Sequence, residues 1–171
     1  SWQEAFAAES AALAGLEYAQ ALLDLVKAFE TVPHRVLVEA ARLKGYPMPI
    51  LRLSLAAYRL ARSIGVDGVY SRLIVATRGI TAGSGFATSE LRVLMLDLIN
   101  ALQARWANII ITKVYVDDLT LSIAGLPERV IRELSHAIDF AVHVLEDAML
   151  MQVSAKKSKV VASKPSIAAA V

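Results

Sequence analysis

The stretch whose reading decides the fold is KVYVDDLTLSIAG, Lys113 to Gly125. Val114, Val116, Leu119, Leu121 and Ile123 supply the apolar positions of a strand, a turn and a second strand. Successive strand residues face opposite ways, so Asp117 and Asp118 cannot both lie on a solvent face unless the chain turns there. Two readings are open. Aspartate is a good turn residue and the pair is simply solvated, or the two acids share a cation. Carboxylates about 4 Å apart repel by about 1 kcal/mol in water and about 4 kcal/mol at an effective dielectric of 20. Half-buried at the tip of an apolar hairpin, they require a metal or an altered protonation state.

Working outward, 171 residues with 56% hydrophobic content suffice to bury one core, so a single domain over 1–171 is expected. A net charge of +2 and a pI near 9.0 give a mild basic bias compatible with a polyanionic partner. The absence of cysteine excludes disulfides, thiolate catalysis and the usual structural zinc sites, and fits a reducing compartment. Mean hydropathy is +0.50, yet no uncharged apolar stretch approaches the ~20 residues of a membrane span. The first residues carry acids and lack the basic start of a signal peptide. These features lead to an expectation of an intracellular, soluble protein of nucleus or cytoplasm. Neither Ser1 nor the closing SIAAAV reads as a natural terminus, so the chain is expected to be an excerpt of a longer polypeptide.

Alanine-rich SWQEAFAAESAALAG reads as helix, and LEYAQALLDL, residues 16–25, as a buried strand ending near Asp24. Two amphipathic helices follow, the first with Pro33 at its start and Gly45 at its stop. A hairpin turns at Asp67-Gly68, a long helix runs from about Phe86 to Trp106, and the Lys113–Gly125 hairpin comes next. A helix opened by Pro127, a basic turn and a short strand complete the chain. Strand, helices, hairpin, helix, hairpin, helix, strand is the order of an α+β fold: an antiparallel sheet covered by helices on one face, closer to split βαβ than to a doubly wound sheet.

Asp24 ends a nearly continuous apolar strand, where aspartate is a poor strand former. Locally, a helix cap explains it as well as a functional role does. A sheet that pairs its strand with the hairpin brings three carboxylates to one edge, and hard oxygen ligands of that kind suit Mg²⁺ held together with substrate phosphates.

Four segments resemble, in order, the motifs of reverse transcriptases from non-LTR retroelements and group II introns. LLDLVKAFETVPHRVL is similar to the first catalytic motif, SRLIVATRGITAGSGFATSEL to the second, VYVDDLTL to the Y-x-D-D box and VSAKKSKVV to the lysine motif that follows. The resemblance spans Leu16 to Val161 and implies a polymerase palm with a ferredoxin- or RRM-like core. It implies an RNA-directed DNA polymerase that uses two Mg²⁺ ions (Mn²⁺ as a substitute), an RNA template, a DNA primer and a dNTP, with no membrane partner. By the same resemblance Asp24 and Asp117 bind the metals and Asp118 supports them. Phe29 matches the aromatic gate under the incoming sugar, and Gly79 and Gly83 lie in the glycine-bearing loop. Lys157 matches the lysine near the triphosphate, and Tyr115 packs under the primer end. Taken singly, Phe29 reads as ordinary core and the two glycines as turn formers, while Lys157 reads equally as a solvated lysine.

The chain departs from the family in two respects. Thr81-Ala82-Gly83 stands where the family has Pro-Gln-Gly, so the amide that helps hold nucleotide or template is lost. Only 23 residues precede Asp24, and nothing after Lys164 reads as a thumb, so fingers and thumb are expected from a parent polypeptide. A catalytically degenerate palm kept as a nucleic-acid-binding or structural module is the alternative. The aliphatic strands argue against a sheet that binds RNA by stacked aromatics.

Overall fold

A computed structural model describes residues 2–81 and 83–171. In chain order the elements are α1 (Trp2–Leu13), β1 (Glu17–Leu23), α2 (Ala28–Thr31), α3 (His34–Leu43), α4 (Met48–Tyr58), and the short strands β2 (Gly65–Val66) and β3 (Val69–Tyr70). Then come α5 (Ala87–Arg105), β4 (Ile111–Tyr115), β5 (Asp118–Gly125) and α6 (Pro127–His143), which a π-helical turn extends over Val144–Ala148. β6 (Lys159–Ala162) and α7 (Pro165–Ala170) close the chain. It divides into two compact units, one formed by residues up to Val26 and from Leu96 onward, the other by Lys27–Met95.

The first unit is built on a four-stranded sheet of order β4-β5-β1-β6. Every pairing is antiparallel, and β1 runs against β5 from Glu17↔Gly125 to Leu23↔Leu119. Sequence neighbours β4 and β5 form a hairpin, while β1 and β6 meet through helical connections, the split βαβ pattern. Period-2 alternation sorts the side chains. Ala19, Ala21 and Leu23 of β1 sit opposite Ile123, Leu121 and Leu119 of β5, and all six are buried. Against this face packs α6, whose buried Val130, Leu134, Ala137 and Ala141 recur at spacings of four, three and four along one helical stripe. Trp106, just past α5, meets Phe140 at 5.7 Å between ring centroids and donates its indole N–H to Glu133 at 3.2 Å.

The opposite face carries Lys113, Thr120, Leu22 and Lys159 in register across the four strands. The palm-like α+β architecture is therefore the one formed. One addition to the expected single helical layer is α1, which packs along β1 and brings Glu4 to Lys113 on this second face, Nζ to Oε1 2.6 Å. Another is α7, in a tail whose sequence gave no sign of an element. Among the described residues no helix is long and apolar enough to cross a membrane.

In the second unit α3 packs on α4. The β2–β3 hairpin turns where expected, with Asp67 at φ 50° and Gly68 at φ 81°, both in the left-handed region that a tight hairpin turn uses.

Leu121 lies wholly inside the face that meets α6. Leu121→Ala should lower the unfolding free energy by about 2–5 kcal/mol in urea titrations. Leu13→Ala, at a residue 86% exposed, should stay within about 0.5 kcal/mol.

Candidate active site

The β4–β5 hairpin closes through the two-residue turn Val116-Asp117, since Tyr115 pairs with Asp118. Val116 has φ 59°. A β-branched residue there is a backbone outlier, and such strain clusters at functional sites. The turn answers the question posed by adjacent acids. Asp117 sits in the turn itself and Asp118 begins β5, so the two need not obey strand alternation.

One residue beyond the last β1–β5 pair, Leu23↔Leu119, come Asp24 on one chain segment and Asp118 on the other. Both continue the alternation of the open face, in step with Leu22 and Thr120. Asp24 and Asp118 therefore stand at the same end of the sheet, with Asp117 in the adjoining turn. Tyr115, 80% exposed, pairs with Asp118 on the same face. Lys157 reaches Asp24 from the turn before β6, Nζ to Oδ1 3.5 Å. Asp24, Asp118, Tyr115 and Lys157 line an open cavity of about 730 Å³, with Gln3 and Glu4 of α1 on its far wall.

Electrostatics report the crowding. Burial against the sheet raises the Asp118 carboxyl above the ordinary aspartate value; the Asp117 and Asp24 carboxylates add to the rise and Lys157 opposes it. At the far wall the Lys113 ammonium is the main cause holding Glu4 down to about 2. Carboxylates are hard oxygen donors, the kind that divalent cations such as Mg²⁺ take. As they stand, however, no three Asp, Glu or His side chains among the described residues are grouped to hold an ion. Lys157 engages the Asp24 carboxylate, and carboxylates without a shared cation repel one another. An ion would have to draw them together.

The remaining predicted residues lie in the 27–95 unit and form their own arrangement. Phe29 is half-buried, and its carbonyl accepts the Ile80 N–H at 2.7 Å. Gly79 donates its N–H to Val32 O at 2.8 Å with φ 95°. A Cβ on Gly79 would stand 3.0 Å from Glu30 O, so only glycine allows this approach. The first motif's tail and the second motif are therefore laced backbone to backbone. Gly83 has φ 85° and open space around it, and Ala82 lies outside the described residues.

Sequence reasoning missed His34, which is buried and locks the same junction. Its Nε2 bonds Gly79 O at 2.8 Å, and Arg59 Nε donates to its Nδ1 at 3.2 Å. A carbonyl only accepts and a guanidinium only donates, which fixes the ring proton on Nε2. It also missed Ser154 and Ser158, whose sole signal was two hydroxyls flanking a run of lysines.

The fold is similar to that of apo telomerase from Candida tropicalis truncated from its C-terminal domain, with a TM-score of 0.68 and 11% identity over 95% of this chain and 34% of that one. It is likewise similar to telomerase from Candida tropicalis in complex with the TWJ fragment of telomeric RNA, with a TM-score of 0.67 and 11% identity over 95% of this chain and 29% of that one. At that identity the likeness is one of fold, and the chain spans about a third of the length of those telomerase chains. It is a polymerase palm-like fold, and nothing in the likeness singles out the non-LTR or group II intron type. No protein-family model matches the sequence, and neither does any curated protein.

A raised aspartate pKa means the folded state binds the proton more tightly than the unfolded one, so stability falls as pH rises from the ordinary aspartate range through the raised value. Asp118→Asn removes that loss. Without metal it should melt above the wild type at pH 7, and the gain should vanish as the pH falls below about 4. Melting curves across pH check this; a gain that persists unchanged into acid would contradict it.

Proposed function

We propose that this segment is the palm of an RNA-directed DNA polymerase of the non-LTR retroelement or group II intron-like type, acting by two-metal nucleotidyl transfer. The observation that carries the reading is that Asp24 and the Val116-Asp117-Asp118 turn share one end of the open sheet face, with Lys157 on Asp24. Two bound Mg²⁺ ions would supply charge stabilisation for the attacking primer 3′-oxygen and for the leaving pyrophosphate. Asp24 and Asp117 would supply the oxygens that hold the ions, with Asp118 as the supporting carboxylate. Lys157, turned from Asp24 toward the triphosphate, would neutralise charge developing on the leaving pyrophosphate. Tyr115 offers an exposed ring under the primer end. Phe29 would serve as the steric gate at the sugar, and Gly79 and Gly83 as the loop that lets backbone approach nucleotide and template. An RNA partner gains support from the structural neighbour in complex with telomeric RNA. Positioning of template, primer and dNTP would fall to fingers and thumb of a longer polypeptide.

A second reading, a degenerate palm that binds nucleic acid or serves as scaffold, draws on Thr81-Ala82 in place of Pro-Gln and on the ungrouped acids. Metal binding separates the two. Mn²⁺ at 100 times its dissociation constant should stabilise the wild type by about 2.7 kcal/mol, and Asp117→Asn should abolish that response. Equal responses in both proteins would favour the second reading.

Activity gives a further test. Catalysis depends on substrates held in line, and lost positioning costs orders of magnitude in rate. The 171 residues alone should therefore show little or no templated synthesis. A longer polypeptide containing them should extend a DNA primer on RNA with Mg²⁺, and Asp117→Ala should eliminate extension. Undiminished extension by that variant would rule out the hairpin as the catalytic centre.

A further inference from the structure

The segment that follows the π-helical turn closes around Asp24. Val26 N–H donates to Gln152 O at 2.8 Å, Leu25 bridges Val153, and Ser154 N–H donates to Asp24 O at 2.8 Å. Ser154 then caps one helical turn. Its carbonyl accepts the N–H groups of Lys157 at 3.1 Å and Ser158 at 2.8 Å, and its hydroxyl accepts the Lys157 N–H at 3.3 Å. The turn ends with Ser158, whose Oγ accepts the Asp24 N–H at 3.1 Å. The β1–β6 ladder stops at Leu22↔Lys159, so the Ser158 side chain takes over where a backbone partner would have continued.

We infer that Ser158 is the positioning residue for Asp24, holding the backbone of the first-motif acid so that its carboxylate meets the hairpin acids at the metal site. The inference rests on the two-metal reading above and adds a residue to it. Asp24 lies past the end of its ladder with β5. The Ser154–Ser158 turn ties both its N–H and its C=O. With the backbone held on both sides, the carboxylate has only its own side-chain torsions to set. Loss of the Ser158 hydroxyl leaves the N–H without its partner and lets Asp24 shift relative to Asp117 and Asp118. Outer partners of metal ligands tune affinity in this way, and their removal typically weakens it 10- to 100-fold. Lys157 contributes differently. Its ammonium touches the carboxylate rather than the backbone, so its loss should not loosen the main chain of Asp24.

The test uses Ser158→Ala together with the pair Ser158→Thr and Ser158→Val, which match each other in shape and differ by one hydroxyl. Two readouts are needed: hydrogen exchange at the Asp24 amide by NMR, and the Mn²⁺ dissociation constant. Threonine should keep both within about twofold of the wild type. Alanine and valine should speed Asp24 exchange while Leu121 stays protected, and should weaken Mn²⁺ binding about tenfold. Lys157→Met should leave Asp24 exchange unchanged. Should alanine fail to fold, the threonine–valine contrast carries the comparison. Equal exchange and equal Mn²⁺ affinity in threonine and valine would overturn the role of Ser158 while leaving the metal site intact. A wild type that binds no Mn²⁺ would overturn the two-metal reading, and Ser158's role with it.

Discussion

Everything functional in the first unit depends on the register of β1 against β5. Leu23 opposite Leu119 buries one side of each strand under α6. By the same alternation it commits Leu22, Asp24, Asp118 and Thr120 to the other side. A slip of one residue would turn the leucines outward and the acids into the core. Burial of apolar area therefore fixes where the charges stand, and the cost of crowding carboxylates is met by the packing behind them. Asp118, raised above the ordinary aspartate value, is where that cost shows.

The two compact units divide the residues singled out by sequence into two sets. Tyr115, Asp117, Asp118, Asp24 and Lys157 belong to the sheet, whereas Phe29, Gly79 and Gly83 belong to residues 27–95. Within the second set the junction is built from backbone. Gly79 and Ile80 donate to Val32 and Phe29, and His34 bridges Gly79 to Arg59. These bonds hold the tail of the first motif, and with it the backbone of Phe29, against the glycine-bearing loop.

The apolar run of β1 and the spaced apolar residues of the β4–β5 hairpin made those strands legible, and Asp67-Gly68 made the short hairpin legible, because these signals are local. The same holds for α6, whose stripe is complete in sequence. Asp24, Asp117 and Asp118 drew attention in the sequence because they flank apolar strands, an uncomfortable place for a charge. What stayed hidden depends on contacts distant in sequence. Ser158 reaches Asp24 across 134 residues and His34 reaches Gly79 across 45, and neither side chain differs locally from a solvated serine or a surface histidine. The α1 contact with the open face was hidden for a related reason. Only Ala11 of that helix is buried, so its sequence carries no apolar stripe to mark a docking side. The π-helical turn at Val144–Ala148 continues a helical pattern and shows only as a change in hydrogen-bond spacing.

The central claim is that Asp24 and the hairpin acids form one divalent-cation site on the open face. Anomalous diffraction from crystals grown with Mn²⁺ tests it most directly. The account predicts a peak bounded by Asp24 and Asp117, with the Lys157 ammonium moved off Asp24. A peak confined to another place, such as the His143–Asp147 surface contact, with Lys157 still on Asp24, would contradict it.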